Sequence, residues 1–187
     1  MSAAGASVAS QHVAARGLAV VTGRFQPFHV QHLELVLLAL EQAAHVLVGV
    51  TNPEPEEHRA HPASAHRHLA SANPYTYAQR RIAIDAALRV AGVDASRYSI
   101  APFPLDAPER WPQIVPPGTP QVVRVYSDWE QEKVRRFEAA GYPAIVLAGD
   151  EATRVSGTEI RRRIAVGEAW QAWVPPGARE VVQSWLD

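Results

Sequence analysis

A chain of 187 residues most simply forms one domain, long enough to bury a sizeable core. Its 18 basic and 19 acidic side chains leave a net charge of -1, which argues against a general nucleic-acid or membrane-surface binder but leaves room for a local basic pocket. It has no cysteine, so disulfides and thiolate metal sites are excluded and a reducing compartment, the cytoplasm, is the natural setting. No apolar run approaches membrane-spanning length. Residues 1–17 are rich in Ala and Ser without a continuous apolar core. They read as a flexible tail rather than a secretory signal, with the domain expected over 18–187.

The first expected element is a strand. Leu18-Ala19-Val20-Val21-Thr22 is a short apolar run of buried-strand type. Gly23-Arg24-Phe25-Gln26-Pro27-Phe28-His29-Val30-Gln31-His32 follows, and then Leu33, Val36, Leu37 and Leu40 recur at helical spacing. The stretch from Gly23 to His32 is therefore a strand-to-helix connection. In an open α/β sheet such connections lie at the carboxyl ends of the strands, where ligands bind. Free N–H groups at a helix start favour a phosphate. Gly23 lets the backbone approach a ligand closely, and Arg24 can fork onto phosphate oxygens. His29 and His32, three apart, share one face once the helix has begun. Two imidazoles aimed at a phosphate site can donate hydrogen bonds to a transferring phosphoryl group.

His45 to Thr51 reads as a second buried strand, which completes a right-handed β-α-β unit. Residues 52–74 form a long connection rich in Pro, Ala and His. A zinc site on His58, His61, His66 and His68 is conceivable, but the spacings match no closed site and a polar, mobile loop is the preferred reading. Arg59, Arg67 and His68 could close over an anionic ligand. Asn73-Pro74-Tyr75-Thr76-Tyr77-Ala78-Gln79-Arg80 opens a helix capped by Thr76 or Asn73 and stopped by Gly92. Arg97 to Phe103 is a third strand, followed by Glu109-Arg110-Trp111. Val122 to Tyr126 is a fourth, with Ser127-Asp128 capping a helix from Trp129 to Ala140. Ala144 to Leu147 is a fifth. Next, Ser156 and Glu159 read as a capping box. The N–H groups of Gly157 and Thr158, the Thr158 hydroxyl and the Arg161 guanidinium could then meet at one anion site. The expected fold is a single doubly wound, mostly parallel α/β sheet of about five strands. Neither G-x-x-x-x-G-K-[ST] nor G-x-G-x-x-G occurs, which disfavours a P-loop kinase and a nicotinamide-linked dehydrogenase.

Two of these stretches carry a family resemblance. The stretch from Gly23 to His32 resembles the G-R-F-Q-P-F-H-x-G-H signature of HxGH-superfamily nucleotidylyltransferases, with Gln31 where that family has glycine. Ser156-Gly157-Thr158-Glu159-Ile160-Arg161 is similar to the family's S-[SG]-T-x-I-R motif, every key position kept. Asn73 to Arg80 looks like its N-P-[FY]-T-x-x-E-R segment, with Gln79 for glutamate. Ser127-Asp128-Trp129 stands in the place of S-G-N, and Trp170 to Pro175 looks like the terminal W-x-x-x-V-P. The archaeal-type nicotinamide mononucleotide (NMN) adenylyltransferase is the variant most resembled.

The resemblance implies a Rossmann-like nucleotidylyltransferase that transfers a nucleotidyl group from a nucleoside triphosphate to a small phosphate or phosphonate and releases pyrophosphate. The simplest pair is ATP and NMN, giving NAD. The alternative is CMP transfer from CTP to a small phosphonate or phosphate ester. A non-catalytic nucleotide-binding regulator is a further alternative, against which the intact His29, His32, Thr158 and Arg161 argue. By resemblance, His29 and His32 hold the α- and β-phosphates, and Thr158 and Arg161 hold the leaving pyrophosphate. Arg24 orients the triphosphate, with Gly23, Phe25, Gln26, Gln31, Ser127, Asp128, Ser156 and Gly157 also on the nucleotide. Asn73, Tyr75 and Arg80 lie on the acceptor side. Trp111 either stacks on the acceptor ring or covers the sheet edge. Gln31 adds bulk and an amide where glycine leaves room, which bears on the base or acceptor. Magnesium is expected to bridge the phosphates, held by them and by water, with no metal site on the protein. Neither nucleic acid nor membrane is an expected partner. Such folds often form symmetric assemblies, so a homo-oligomer is compatible with the resemblance.

Overall fold

The computed structural model describes residues 17–53 and 73–186. The expected tail up to Arg16 and the connection holding His58, Arg59, His61, His66, Arg67 and His68 lie outside the described residues. In chain order the elements are β1 (Leu18–Gly23), α1 (Val30–Gln42), β2 (His45–Val50), α2 (Tyr77–Val90) and β3 (Tyr98–Pro102). Then come β4 (Gln121–Val125), α3 (Asp128–Ala139), β5 (Ala144–Ala148), α4 (Gly157–Ala165) and α5 (Ala178–Gln183). All neighbouring strands pair in parallel, in the order β3-β2-β1-β4-β5. The order reverses between β1 and β4. That switch point is where open α/β sheets bind ligands.

Each strand sends alternate side chains into one of two cores, the period-2 geometry of a sheet covered on both faces. Val21, Val46 and Val48 join Val36 and Ala39 of α1, Ile84 and Leu88 of α2, Ile160 of α4 and Val182 of α5. Val20 and Leu47 face the other way, onto Phe103, Trp111, Val134, Phe137 and Tyr142.

Trp111 is where the structure departs from the stacking expectation. It is fully buried, its ring 5.1 Å from Phe137 and 5.6 Å from Phe103 and from Tyr142, and its indole N–H donates to the Pro104 carbonyl at 2.8 Å. A large apolar ring with one polar atom is most stable in a core that offers a carbonyl for that atom. Trp111 therefore anchors the chain after β3 under the sheet and presents no face to a ligand. Arg80 is a second departure. It is 2% exposed, and its guanidinium donates to the carbonyls of Arg24, Thr51, Asn52 and Pro53 at 2.8 to 3.2 Å. A buried guanidinium needs such acceptors. This one ties together the ends of β1 and β2 instead of facing an acceptor.

Between β1 and β4 the register is Val20 with Gln121. Two residues on, the Thr22 carbonyl takes its hydrogen bond from the Lys133 ammonium of α3, at 2.8 Å. A side chain thus reaches in at the carboxyl end of the switch point, where the functional cleft lies.

Candidate active site

A cleft of about 370 Å³ opens at the carboxyl ends of β1 and β4, within the size range of small-molecule sites. Its walls include Gly23 to Gln26, then His29, Gln31 and His32, then Tyr126, Trp129 and Lys133, and Arg154 to Thr158 with Arg161. Among the described residues lining it, Arg24, Arg124, Lys133, Arg154 and Arg161 are cationic and Glu130 is the one carboxylate. A chain of nearly balanced charge thus gathers positive charge at one place, which suits a polyanion.

The turn from β1 into α1 is built around Phe25. Its φ of 53° is uncommon for a non-glycine residue. Its ring folds back so closely that a Cβ on Gly23 would lie 2.6 Å from it. The close approach that requires Gly23 is therefore to Phe25, not to a ligand. Gln26 is 3% exposed and pairs its amide in both directions with the Tyr75 backbone, at 2.9 and 3.0 Å. Arg24 reaches Asn73 at 3.4 Å. Tyr75 also packs its ring on Trp185, centroids 4.8 Å apart. Asn73 and Tyr75 thus hold the β1–α1 turn in place from the α2 side.

His29 is the N-cap of α1 and His32 lies in its first turn. Their rings stack with centroids 3.4 Å apart. His32 Nδ1 accepts from the His29 backbone N–H at 3.2 Å, so the neutral His32 ring carries its proton on Nε2. Burial pushes the His29 pKa down to about 3, with Arg154 adding to the effect. Burial first, and then the charges of His29, Lys133 and Arg24, hold His32 well below the usual histidine range. Both imidazoles are neutral near pH 7 while the cleft holds no anion. His29 Nδ1 is buried with no partner among the described residues, and orphan polar atoms of this kind collect at functional sites.

Helix α4 meets this turn directly. A Cβ on Gly157 would lie 2.7 Å from the Gln26 carbonyl oxygen, so only glycine allows the approach. Arg161 donates to the same carbonyl and, at 3.2 Å, to the Thr158 hydroxyl. The two separate sequence motifs therefore share one backbone oxygen. Ser156 is the N-cap, but without a side-chain cap bond. The expected capping box is absent because Glu159 is held instead by Arg162 at 2.7 Å and Arg163 at 3.1 Å.

Gln31 fastens α1 to this assembly. Its Oε1 accepts from the Tyr126 hydroxyl and from the Val155 N–H, both at 2.9 Å, and its Nε2 donates to the Thr153 carbonyl at 2.8 Å. Arg154 reinforces the contact, with its guanidinium 4.8 Å over the Tyr126 ring and 3.0 Å from Glu130. Ser127 and Asp128 are exposed, and Ser127 is the N-cap of α3, its backbone and hydroxyl both bonded to Glu130. Tyr126 and Trp129 line the cleft here, and Ser127 and Asp128 do not. Sequence reasoning missed Tyr126, Glu130, Lys133 and Arg154. Trp129 and Lys133 are four apart on α3, and that shared helix face was the available signal.

These features define an α/β protein with a cationic cleft at its switch point, and comparison with known proteins gives its family. Residues 20–163 match the cytidylyltransferase-like family model, and the chain belongs to that family. It is 38% identical over 89% of its length to a phosphonoformate cytidylyltransferase of Streptomyces viridochromogenes, covering 91% of that protein. It is 30% identical over 88% of its length to a nicotinamide-nucleotide adenylyltransferase of Picrophilus torridus, covering 89% of that protein. Among solved structures, a bifunctional NMN adenylyltransferase/ADP ribose pyrophosphatase of Francisella tularensis, complexed with AMP and a manganese ion, matches the fold. Its TM-score is 0.64 and its identity 19% over 90% of this chain. The present chain spans about half of that structure, 48%. Fold and family together identify a nucleotidylyltransferase. Among the described residues no helix is long and apolar enough to cross a membrane.

Proposed function

We propose that this protein transfers a cytidylyl group from CTP to a small phosphonate or phosphate ester, releasing pyrophosphate. The observation that carries the transfer reading is the convergence of His29, His32, Gly157, Thr158 and Arg161 on one cleft, where Gly157 and Arg161 meet the Gln26 carbonyl of the histidine turn. An acceptor oxygen attacks the α-phosphorus of the triphosphate in line. The bond from that phosphorus to the bridging oxygen breaks, and pyrophosphate leaves with the electron pair. Such chemistry needs positioning and charge stabilisation more than covalent help from the protein. His29 and His32 hold α- and β-phosphate oxygens. Arg24 orients the triphosphate. Thr158, Arg161 and the N–H groups at the start of α4 hold the leaving group.

The choice of CTP follows the full-length similarity to the phosphonoformate enzyme. Magnesium carried on the triphosphate supplies neutralisation of the leaving charge when bound. Glu130, engaged with Arg154 and Ser127, and the histidine pair are no carboxylate cage for it, so the fit is to a metal held by phosphates and water. The cytoplasm, where nucleoside triphosphates are held, is the expected setting.

A second reading, ATP and NMN giving NAD, is supported by similarity to nicotinamide-nucleotide adenylyltransferases. The test is pyrophosphate release with magnesium, each of ATP, CTP, GTP and UTP, and NMN or a panel of small phosphonates and phosphate esters. Release confined to CTP with a phosphonate or phosphate ester is the expected result. Release confined to ATP with NMN moves the assignment to NAD formation. Nucleotide binding without release from any pair leaves a regulator.

A further inference from the structure

We propose that Lys133 and the end of β1 form the half of the cleft that receives the acceptor, and that this half selects an acceptor with a carboxylate beside its phosphonate or phosphate group. The inference rests on the transfer reading above and deepens it.

Three of the five cations of the cleft sort into two groups by the elements that carry them. Arg154 and Arg161 belong to the loop and helix that Gln31 fastens to α1, beside Gly157 and Thr158. That flank has the backbone N–H groups and the forked side chains that suit a polyphosphate. Lys133 arrives from the opposite face of the sheet, on α3, and sets its ammonium 2.8 Å from the Thr22 carbonyl at the end of β1. Thr51, beyond the end of β2, and Leu105, beyond the end of β3, line the cleft as well. The strand order puts β2 and β3 on the side of β1 away from β4 and β5. The cleft thus has a second wall, of small polar and apolar groups around one ammonium.

Two further observations mark this wall as a site. The Thr22 hydroxyl is buried without a partner among the described residues, in the residue whose carbonyl Lys133 holds. A buried hydroxyl left unsatisfied is a feature that packing alone does not favour. Lys133 also depresses the proton affinity of His32, so its charge is felt at the reacting centre. An ammonium is a compact, strongly hydrated point charge. It matches a carboxylate and repels a cationic ring, so a small phosphonate acid suits this wall better than a pyridinium nucleotide.

The test is a ratio. Pyrophosphate release with CTP and magnesium is measured for phosphonoformate and for methylphosphonate, which lacks the carboxylate, in the wild-type protein, Lys133→Met and Lys133→Arg. The wild type is expected to prefer phosphonoformate, mostly through KM. Lys133→Met is expected to lower the ratio of the two kcat/KM values by about 10- to 100-fold, the effect of one lost charge-assisted hydrogen bond. Lys133→Arg is expected to keep part of the preference. Both acceptors are read on one preparation, so any loss of folded protein cancels from the ratio. An unchanged ratio in Lys133→Met, with turnover on both acceptors, overturns the role of Lys133 alone. No release by the wild type from CTP with any acceptor overturns the transfer reading together with it.

Discussion

The two flanks of the cleft hold positive charge by different means. The α4 flank is cross-braced between distant segments. Gly157 packs against the Gln26 carbonyl, Arg161 donates to that same oxygen, and Gln31 ties Thr153 and Val155 to α1. On the α3 flank Lys133, on a flexible stem, donates to the Thr22 carbonyl and lies over the Phe137 ring. Rigid donors suit charge that develops at the same place in every turnover, as on a leaving pyrophosphate. A movable ammonium suits the partner that varies between enzymes of one family. On the proposed roles, the braced flank holds the leaving group and the lysine meets the acceptor.

The largest effect should come from the histidine pair that both flanks share. His32→Ala is expected to lower turnover at least about 100-fold, as losing one preorganised donor does elsewhere. Steady-state kinetics with CTP and its acceptor measure this, and an unchanged turnover would remove His32 from the mechanism. Gly157→Ala attacks the rigid flank alone. The new methyl would lie 2.7 Å from the Gln26 oxygen, so helix α4 or the turn must shift. A displacement near 1 Å in a positioned group is worth up to about 100-fold. We expect a loss of about 10- to 50-fold in kcat/KM for the nucleotide. A loss below threefold would show that the flank is more compliant than its packing implies.

How much of this could be read from the chain differs between the flanks. The strands, the strand-to-helix turn and the start of α4 follow from local patterns, since runs of Val and Leu, a glycine after a strand and S-G-T before a helix each act over a few residues. The two motif ends were legible for the same reason. What escaped depends on contacts between residues far apart in sequence. Trp111 looked free to stack on a ligand because nothing local announces Phe137 and Tyr142 beneath it. Arg80 looked like a ligand contact because its acceptors are backbone carbonyls, which are the same in every sequence. Lys133 was hidden in a charged helix face, and only the switch-point geometry turns it inward.

Gln31 links the rigid flank to the helix that carries the histidines, so its removal separates bracing from chemistry. In Gln31→Ala, the Val155 N–H and the Tyr126 hydroxyl lose their acceptor. Leaving such groups unsatisfied costs about 1–3 kcal/mol, or about 2–10 °C in Tm for a domain of this size. Activity should fall about 3- to 10-fold, through a higher KM for the nucleotide rather than slower turnover. Gln31→Glu keeps the acceptor but sets a carboxylate against the Thr153 carbonyl, so it should rescue only in part. Equal Tm values for Gln31→Ala and the wild type would mean that the bridge contributes nothing net.

The smallest effect is a pH dependence of stability that comes from the pair between the flanks. The folded His29 pKa is pushed down to about 3 and that of His32 lies well below its usual value, against about 6.5 in an unfolded chain. Below 6.5 the unfolded state therefore binds protons that the folded state does not, and stability falls as pH falls. The stabilisation is fully present above the unfolded pKa and is lost progressively between there and the folded values. From pH 7 to pH 6 the pair should cost about 1 kcal/mol, or about 2–4 °C in Tm. A variant carrying both His29→Asn and His32→Asn should show a shallower slope over the same interval. Saturating pyrophosphate should also flatten the wild-type slope, because an anion in the cleft lets the folded imidazoles take up protons. If the wild type and the double variant lose the same Tm between pH 7 and pH 6, the histidines are not the buried neutral pair that their stacking and burial describe.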